Sequence, residues 1–177
     1  MVVISKERFA TGFQWPDYMV DIEKNTERFN ENYSEFVLDQ EDAKFFSDYG
    51  TELKVLILGE DWCGDVVQSL PPIIRMLECS SSIEYRIFKR DQHPDIMDKY
   101  LTDGVTKSIP YLVFMGTSLN ELATWGPRPA DCQAIIRHNK GKIPMDQIYP
   151  KLRTWYKENG NCPLVREIRE KLEQLAA

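Results

Sequence analysis

The chain has 177 residues, 42% of them hydrophobic and 28% charged, which sets it among ordinary globular proteins and apart from disordered or low-complexity chains. Its formal net charge of −6 argues against nucleic acid as a partner, because neutralising phosphates takes clustered Lys and Arg. No stretch approaches the ~18 consecutive apolar residues of a membrane span, so no membrane partner is expected.

Met1 to Phe13 carries Lys6, Glu7 and Arg8 and no apolar signal core, and the expected compartment is therefore the cytoplasm. Four cysteines, at 63, 79, 132 and 162, lack the dense spacing of a disulfide framework, which fits a reducing environment. The charge is unevenly spread: residues 1–52 sum to −7 and residues 139–177 to +3. One reading is a solvated face; the other is that the two ends dock on each other.

Residues 15 to about 50 read as helix, since Trp15, Tyr18, Met19, Ile22, Phe29, Tyr33, Phe36 and Val37 recur at spacings of three, four and seven. A second short helix is expected over Gln40 to Tyr49, stopped by Gly50. Lys54 to Gly59 is a short apolar run of the kind found in strands covered on both faces. A helical stretch over Pro71 to Glu78, a strand over Ile83 to Phe88 and a helix over Pro94 to Leu101 follow. Tyr111 to Met115 and Glu121 to Trp125 flank the turn-prone Gly116 to Asn120 and read as a hairpin. Strand, helix, strand implies a parallel crossover, and the hairpin adds an antiparallel edge. Helices are expected over Ala130 to Asn139, Pro144 to Glu158 and Pro163 to Leu175, the last two each opened by a proline. The expected fold is thus α/β: a central mixed sheet of about four strands flanked by helices, with helical extensions at both ends. Organisation is expected as one domain over 1–177, with an N-terminal helical segment (1–52), a core (53–138) and a C-terminal extension (139–177).

The informative stretch is Gly59-Glu-Asp-Trp-Cys-Gly-Asp-Val66. A cysteine placed where a buried strand hands over to a helix meets unpaired N–H groups and the positive end of the helix dipole. Both favour the thiolate, which is the nucleophile, and ligands of open α/β sheets bind beyond the strand's carboxyl end. Cys63 is therefore the candidate catalytic residue. Asp65 has two readings: a favourable dipole partner in the first helical turn, or a carboxylate that opposes ionisation of Cys63.

These residues resemble the thioredoxin superfamily. Trp62-Cys63-Gly64 is similar to the start of its Trp-Cys-Gly-x-Cys motif. Pro71 falls where the family kinks its active-site helix, Asp91 to Pro94 and Tyr100 resemble its strand-to-helix link, Ser108-Ile109-Pro110-Tyr111 resembles its cis-proline loop, and Gly126 resembles the glycine beside its substrate groove. The resemblance covers about 54–138. It implies a groove lined by Trp62, Ile109, Pro110 and Gly126, with Gly64, Asp65 and Val66 supporting the thiol. Two departures stand out: the second redox cysteine is replaced by Val66, and the buried acid of the first strand by Ile57.

A motif Trp-Cys-Gly-Asp-Val has no thiol to resolve a mixed disulfide internally. The resemblance then implies a thiol–disulfide oxidoreductase working with one thiol, its partner a protein or a low-molecular-weight thiol or disulfide. The alternative is a binding or chaperone-like module that lost catalysis with the second cysteine. Lys89, Arg90 and Arg128 read either as solvated charges or as a seat for the carboxylates of a small thiol such as glutathione or bacillithiol. Cys79 is too far along its helix to resolve Cys63, about 24 Å if helical. Cys132 is placed either as a partner for Cys63 or as a small buried hydrophobe. No cofactor is expected, and no metal, because His93 and His138 lack neighbours at zinc-site spacing.

Overall fold

The computed structural model describes residues 3–177. Strand β1 (Leu53–Gly59) is central: β2 (Ile83–Lys89) pairs with it on one side and β3 (Tyr111–Met115) on the other, while β4 (Glu121–Trp125) completes the order β2-β1-β3-β4. β1 and β2 run parallel, with Leu53 opposite Ile83; β3 runs antiparallel to β1, with Val55 opposite Phe114, and forms the expected hairpin with β4. The fold is therefore the mixed four-stranded sheet flanked by helices that the pattern implies. Val55, Leu56, Ile57 and Leu58 are all fully buried, as an uninterrupted apolar run requires when both faces are covered.

Helix α5 (Gly64–Leu77) connects β1 to β2 and carries Pro71 and Pro72 in its interior. A helical proline has no N–H and leaves the carbonyl four residues back without its partner. For Pro71 that carbonyl belongs to Val67, and the Asn32 side chain donates to it at 2.8 Å. Replacing Asn32 with Ala removes this donor from a largely buried acceptor. The expected cost is about 1–3 kcal/mol, read as a lower urea midpoint; an unchanged midpoint would refute this role for Asn32.

Before the sheet lie α1 (Lys6–Ala10), α2 (Trp15–Asp21), α3 (Thr26–Glu35) and α4 (Gln40–Asp48). The continuous helical pattern from residue 15 is thus broken twice. Ile22 turns extended and Asn25 adopts a left-handed φ of 57°, a conformation asparagine tolerates. Phe36 is extended as well, and Val37, which fits the apolar spacing, is 83% exposed. The other aromatics bury as expected: Trp15 stacks on Tyr33 with ring centroids 4.9 Å apart, and Tyr18 and Phe29 are fully buried.

After β2 come a 3-10 turn (Arg90–Gln92) and α6 (Pro94–Met97), shorter than expected because the chain leaves the helix for a bridge between Thr102 and Thr106. The C-terminal helices are α7 (Ala130–Asn139), α8 (Met145–Asn159) and α9 (Cys162–Ala176). Helix α9 packs on α4, α5 and β4, burying Leu164, Ile168 and Leu172 in the main core. Helix α8 instead packs on α7, where Ile148 and Leu152 meet Cys132 and Ile136 in a second, smaller cluster.

Both sheet edges are managed by the extensions. Phe13 exchanges two 2.8 Å backbone hydrogen bonds with Ile87, capping part of the β2 edge. At the β4 edge the Trp125 indole donates to Glu167 of α9 at 2.7 Å. The acidic N-terminal part and the basic C-terminal part do meet, since Arg169 of α9 binds Glu41 and Asp42 of α4, both at 2.9 Å. No helix among the described residues is long and apolar enough to cross a membrane.

Candidate functional site

Cys63 occupies the N-cap position of α5, directly beyond the carboxyl end of β1. Its amide donates to the Glu60 carbonyl at 3.3 Å, and its own carbonyl accepts the first helical bond from Val67 at 3.0 Å. The thiol donates to the carbonyl of Ile109 at 3.5 Å. The Ile109–Pro110 peptide bond is cis, and the 3.5 Å contact sets the loop that the resemblance pairs with the cysteine against its sulfur.

Opposing influences act on this thiol. Burial pushes its pKa up, the N–H groups of Val66 and Asp65 and the charge of Arg128 pull it down, and the Asp65 carboxylate pushes it up again. The net direction is upward. A thiol donating to a carbonyl is also favoured in its protonated form. The helix start thus softens the rise without reversing it, and Cys63 makes no side-chain capping bond.

Asp65 is held by a residue that the sequence offers either as a solvated charge or as a seat for a ligand's carboxylates. Arg128 donates to both Asp65 oxygens, from Nε at 2.9 Å and from an Nη at 2.6 Å, and its other Nη donates to Gln133 at 2.7 Å. The pair is nearly buried, with side chains 15% and 11% exposed. Burial raises the Asp65 carboxyl against the pull of Arg128. For Arg128, burial disfavours the charge, but Asp65 outweighs it and raises the guanidinium. This ion pair ties the loop after β4 to the first turn of α5.

Gly126 and Pro127 open that loop, also through a cis peptide bond. Gly126 has φ +137°, and a Cβ built there would lie 2.4 Å from the Pro110 carbonyl oxygen. The predicted glycine and cis-proline are therefore in direct backbone contact. Ile109 lines the groove, and Pro110, joined to it, and Gly126 meet each other next to it. Val66 is fully buried and faces Gly59, where a Cβ would meet its Cγ1 at 3.2 Å. It is core, not wall.

The groove at Cys63 has a volume of about 810 Å³. Trp62 and Ile109, two of the four residues expected to line it, do so, and Gly64 and Asp65, expected to support the thiol, face it as well. Trp62 is 43% exposed and carries the Arg90 guanidinium 4.8 Å over its ring. Lys89, grouped with Arg90 in the sequence, turns away and pairs with Asp21. The opposite wall comes from α8, through Tyr149, Leu152, Arg153, Tyr156 and Lys157. Spacings of three, one, three and one put these residues on a single helix face. That periodicity is visible in the sequence; which surface the face covers is not.

The remaining acids beside Cys63 serve the scaffold. Asp61 accepts the amides of Glu23 and Lys24, each at 2.9 Å, and Asn25 donates to its carbonyl at 2.7 Å, so the α2–α3 turn is fastened to the cysteine loop. Burial opposes the Asp61 charge, but those two amides outweigh it and lower its pKa. Glu60 is buried and accepts from the Asp91 amide at 2.8 Å; burial raises its carboxyl against that amide.

Of the other thiols, Cys79 and Cys162 are exposed and Cys132 is fully buried. Burial pushes the Cys132 pKa up to about 11, which leaves about 1 part in 10⁴ ionised at neutral pH. Cys132 thus fills the α7–α8 cluster as a small hydrophobe. Among the described residues no group of three or more His, Cys, Asp or Glu is placed to hold a metal ion.

A family model described as thioredoxin matches residues 12–146, from ahead of α2 to the first residues of α8. A crystal structure of a protein of unknown function from Pseudomonas aeruginosa superposes with a TM-score of 0.70 at 18% identity, covering 98% of this chain and 99% of that one. An HIV epitope-scaffold superposes with a TM-score of 0.67, also at 18% identity, over 98% of this chain and 100% of that one. At such identity the likeness is one of fold. No curated protein matches the chain.

Proposed function

The chain belongs to the thioredoxin family, and from that premise we propose that it exchanges disulfides through a single thiol, Cys63, in a cycle closed by an external thiol. One observation carries the reading: Cys63 lines the groove with its sulfur 3.5 Å from the carbonyl that precedes Pro110. A disulfide sulfur entering the groove meets Cys63 and the Ile109–Pro110 backbone together.

The chemistry balances with the groups present and one outside thiol. The Cys63 thiolate attacks one sulfur of a disulfide; a new S–S bond forms, the old one breaks, and the leaving sulfur departs as thiolate and takes a proton from water. Cys63 is then oxidised as a mixed disulfide and the departed thiol is reduced. With Val66 one helical turn on, no motif thiol attacks this intermediate. An external thiolate resolves it, forming a new disulfide with the trapped group and returning Cys63 to its thiol. Dependence on an outside thiol suits a reducing compartment, and the cytoplasm is part of this proposal.

Because the Cys63 pKa is raised, the sign of its pH dependence is set. Its thiolate fraction at pH 7 is at most about 3%, the share of an ordinary thiol. The alkylation rate with iodoacetamide should rise about tenfold per pH unit through pH 8 and level off only above the ordinary thiol range. Peptide mapping reads this at Cys63, with the exposed Cys79 and Cys162 resolved separately. A plateau already reached at pH 7 would contradict the burial-dominated balance.

The function itself is tested by trapping. Cell extracts should yield Cys63 in mixed disulfides, and Cys63→Ser should remove them. A folded protein whose Cys63 resists both alkylation and disulfides at pH 9 would end the enzymatic reading. The second reading, a binding module on the same fold, draws on the raised thiol and its bond to Ile109. Val66→Cys separates the two. It sets a second thiol in the first turn of α5, at the position of the family motif's second cysteine. Gain of insulin-disulfide reduction supports the exchange site, and no gain favours the binding module.

A further inference from the structure

Six cations line the Cys63 groove, Arg28, Arg90, Lys107, Arg128, Arg153 and Lys157, against one carboxylate, Asp65. The whole chain carries a net charge of −6, so this concentration opposes the average. Arg128 is spent on Asp65, Arg90 is paired with Asp91 and Lys107 with Asp98. Arg28 of α3 and Arg153 and Lys157 of α8 form no ion pair among the described residues, and all three are exposed. Arg153 and Lys157, one turn apart, present their charge on the same face of α8.

Resting on the exchange reading above, we propose that the substrate of this groove is a small disulfide bearing at least two acidic groups, carboxylate or phosphate, held by Arg28, Arg153 and Lys157 while its sulfur meets Cys63. The size follows from the cavity: about 810 Å³ lies in the range of small-ligand pockets. The sign follows from electrostatics, since a concave surface of one charge concentrates ligands of the other and loses that effect with salt. Trp62 and Tyr149 add aromatic surface to the same lining. This wall belongs mostly to α8, beyond the 12–146 stretch that matches the family model. The charge selection therefore comes mostly from residues that lie outside the matched stretch.

The covalent step is the one already balanced. Cys63 forms a bond to one substrate sulfur, the substrate S–S bond breaks, and the released half leaves as an anionic thiol that the second acidic group helps retain.

Three symmetric disulfides of similar size test the proposal on the full-length protein: dithiodipropionate with two carboxylates, bis(hydroxyethyl) disulfide without charge, and cystamine with two ammonium groups. Mixed-disulfide formation is followed at Cys63 and divided by that at exposed Cys79, which cancels the intrinsic reactivity of each reagent. The expected order is dianion, neutral, dication, with about a tenfold spread between the extremes at low salt, shrinking to about threefold or less near 0.5 M. Arg153→Gln combined with Lys157→Gln should cut the dianion-to-neutral ratio about threefold or more. Equal rates for all three reagents, or preference for cystamine, overturn the anion assignment and leave the exchange reading standing. Faster reaction with a disulfide-linked acidic peptide than with dithiodipropionate overturns the small-ligand assignment. Failure of all reagents at Cys63 while Cys79 reacts removes the exchange reading, and this proposal with it.

Discussion

Asp65→Asn should make Cys63 more reactive and the protein less stable at once. Asparagine keeps the shape of the aspartate and deletes its charge. Cys63 then loses the carboxylate that opposes its ionisation and keeps Arg128, which favours it. The Cys63 pKa should therefore fall, and alkylation at pH 7 should quicken several-fold. Stability moves the other way, because the 15% and 11% exposed pair leaves a nearly buried guanidinium without its counter-charge. Removing one partner of a buried pair costs about 3 kcal/mol at the lower end of the usual range, or roughly 6–12 °C in Tm for a chain of this size. Arg128→Met is the decisive companion. It breaks the same ion pair and destabilises similarly, but it removes the cation that favours the thiolate, so the midpoint of the alkylation profile should not fall. If both variants shift the midpoint downward, looser packing rather than charge governs Cys63, and the electrostatic account fails.

That ion pair also shows where sequence reading stops. Asp65 and Arg128 are 63 positions apart, and nothing local distinguishes a paired arginine from a solvated one. Cys63, by contrast, is legible because its setting is local: an apolar run in β1, then a short turn and the start of a helix. The hairpin is legible for the same reason, since two strand-forming runs and a turn lie within fifteen residues of one another. The Ile109–Pro110 and Gly126 loops were found through the resemblance, and the structure adds that they touch each other.

The groove's character was read less well. Trp62, Ile109 and Gly126 imply an apolar slot, whereas half the charge on its walls comes from α3 and α8. Helix α8 reaches the site because Ile148 and Leu152 dock on Cys132 and Ile136 of α7. Periodicity marks those residues as one buried face but carries no record of what they bury against. The break between α2 and α3 is hidden on similar grounds. Asp61, nearly forty residues downstream, accepts the two amides that a continuous helix would have used internally.

Gly126→Ala should be the most damaging small substitution at the site. Two independent penalties act together. The backbone sits at φ +137°, a region that L side chains rarely adopt and that costs about 1–3 kcal/mol. The added methyl would also meet the Pro110 carbonyl oxygen at 2.4 Å and the Tyr111 Cα at 3.1 Å, both backbone atoms that no rotamer change relieves. Overpacking of this kind costs a further ~1–3 kcal/mol, so a loss of about 2–6 kcal/mol is expected in denaturant unfolding. Whatever relief the chain finds must move the Ile109–Tyr111 segment, and with it the carbonyl that the Cys63 thiol contacts. Misplacement by about 1 Å lowers the rate of an oriented reaction by up to a hundredfold. Mixed-disulfide formation at Cys63 should therefore fall at least tenfold, while iodoacetamide, which needs no seat on that loop, should still react. A variant that keeps its exchange rate while losing stability would show that the Ile109–Pro110 backbone is scaffold rather than part of the substrate's binding surface.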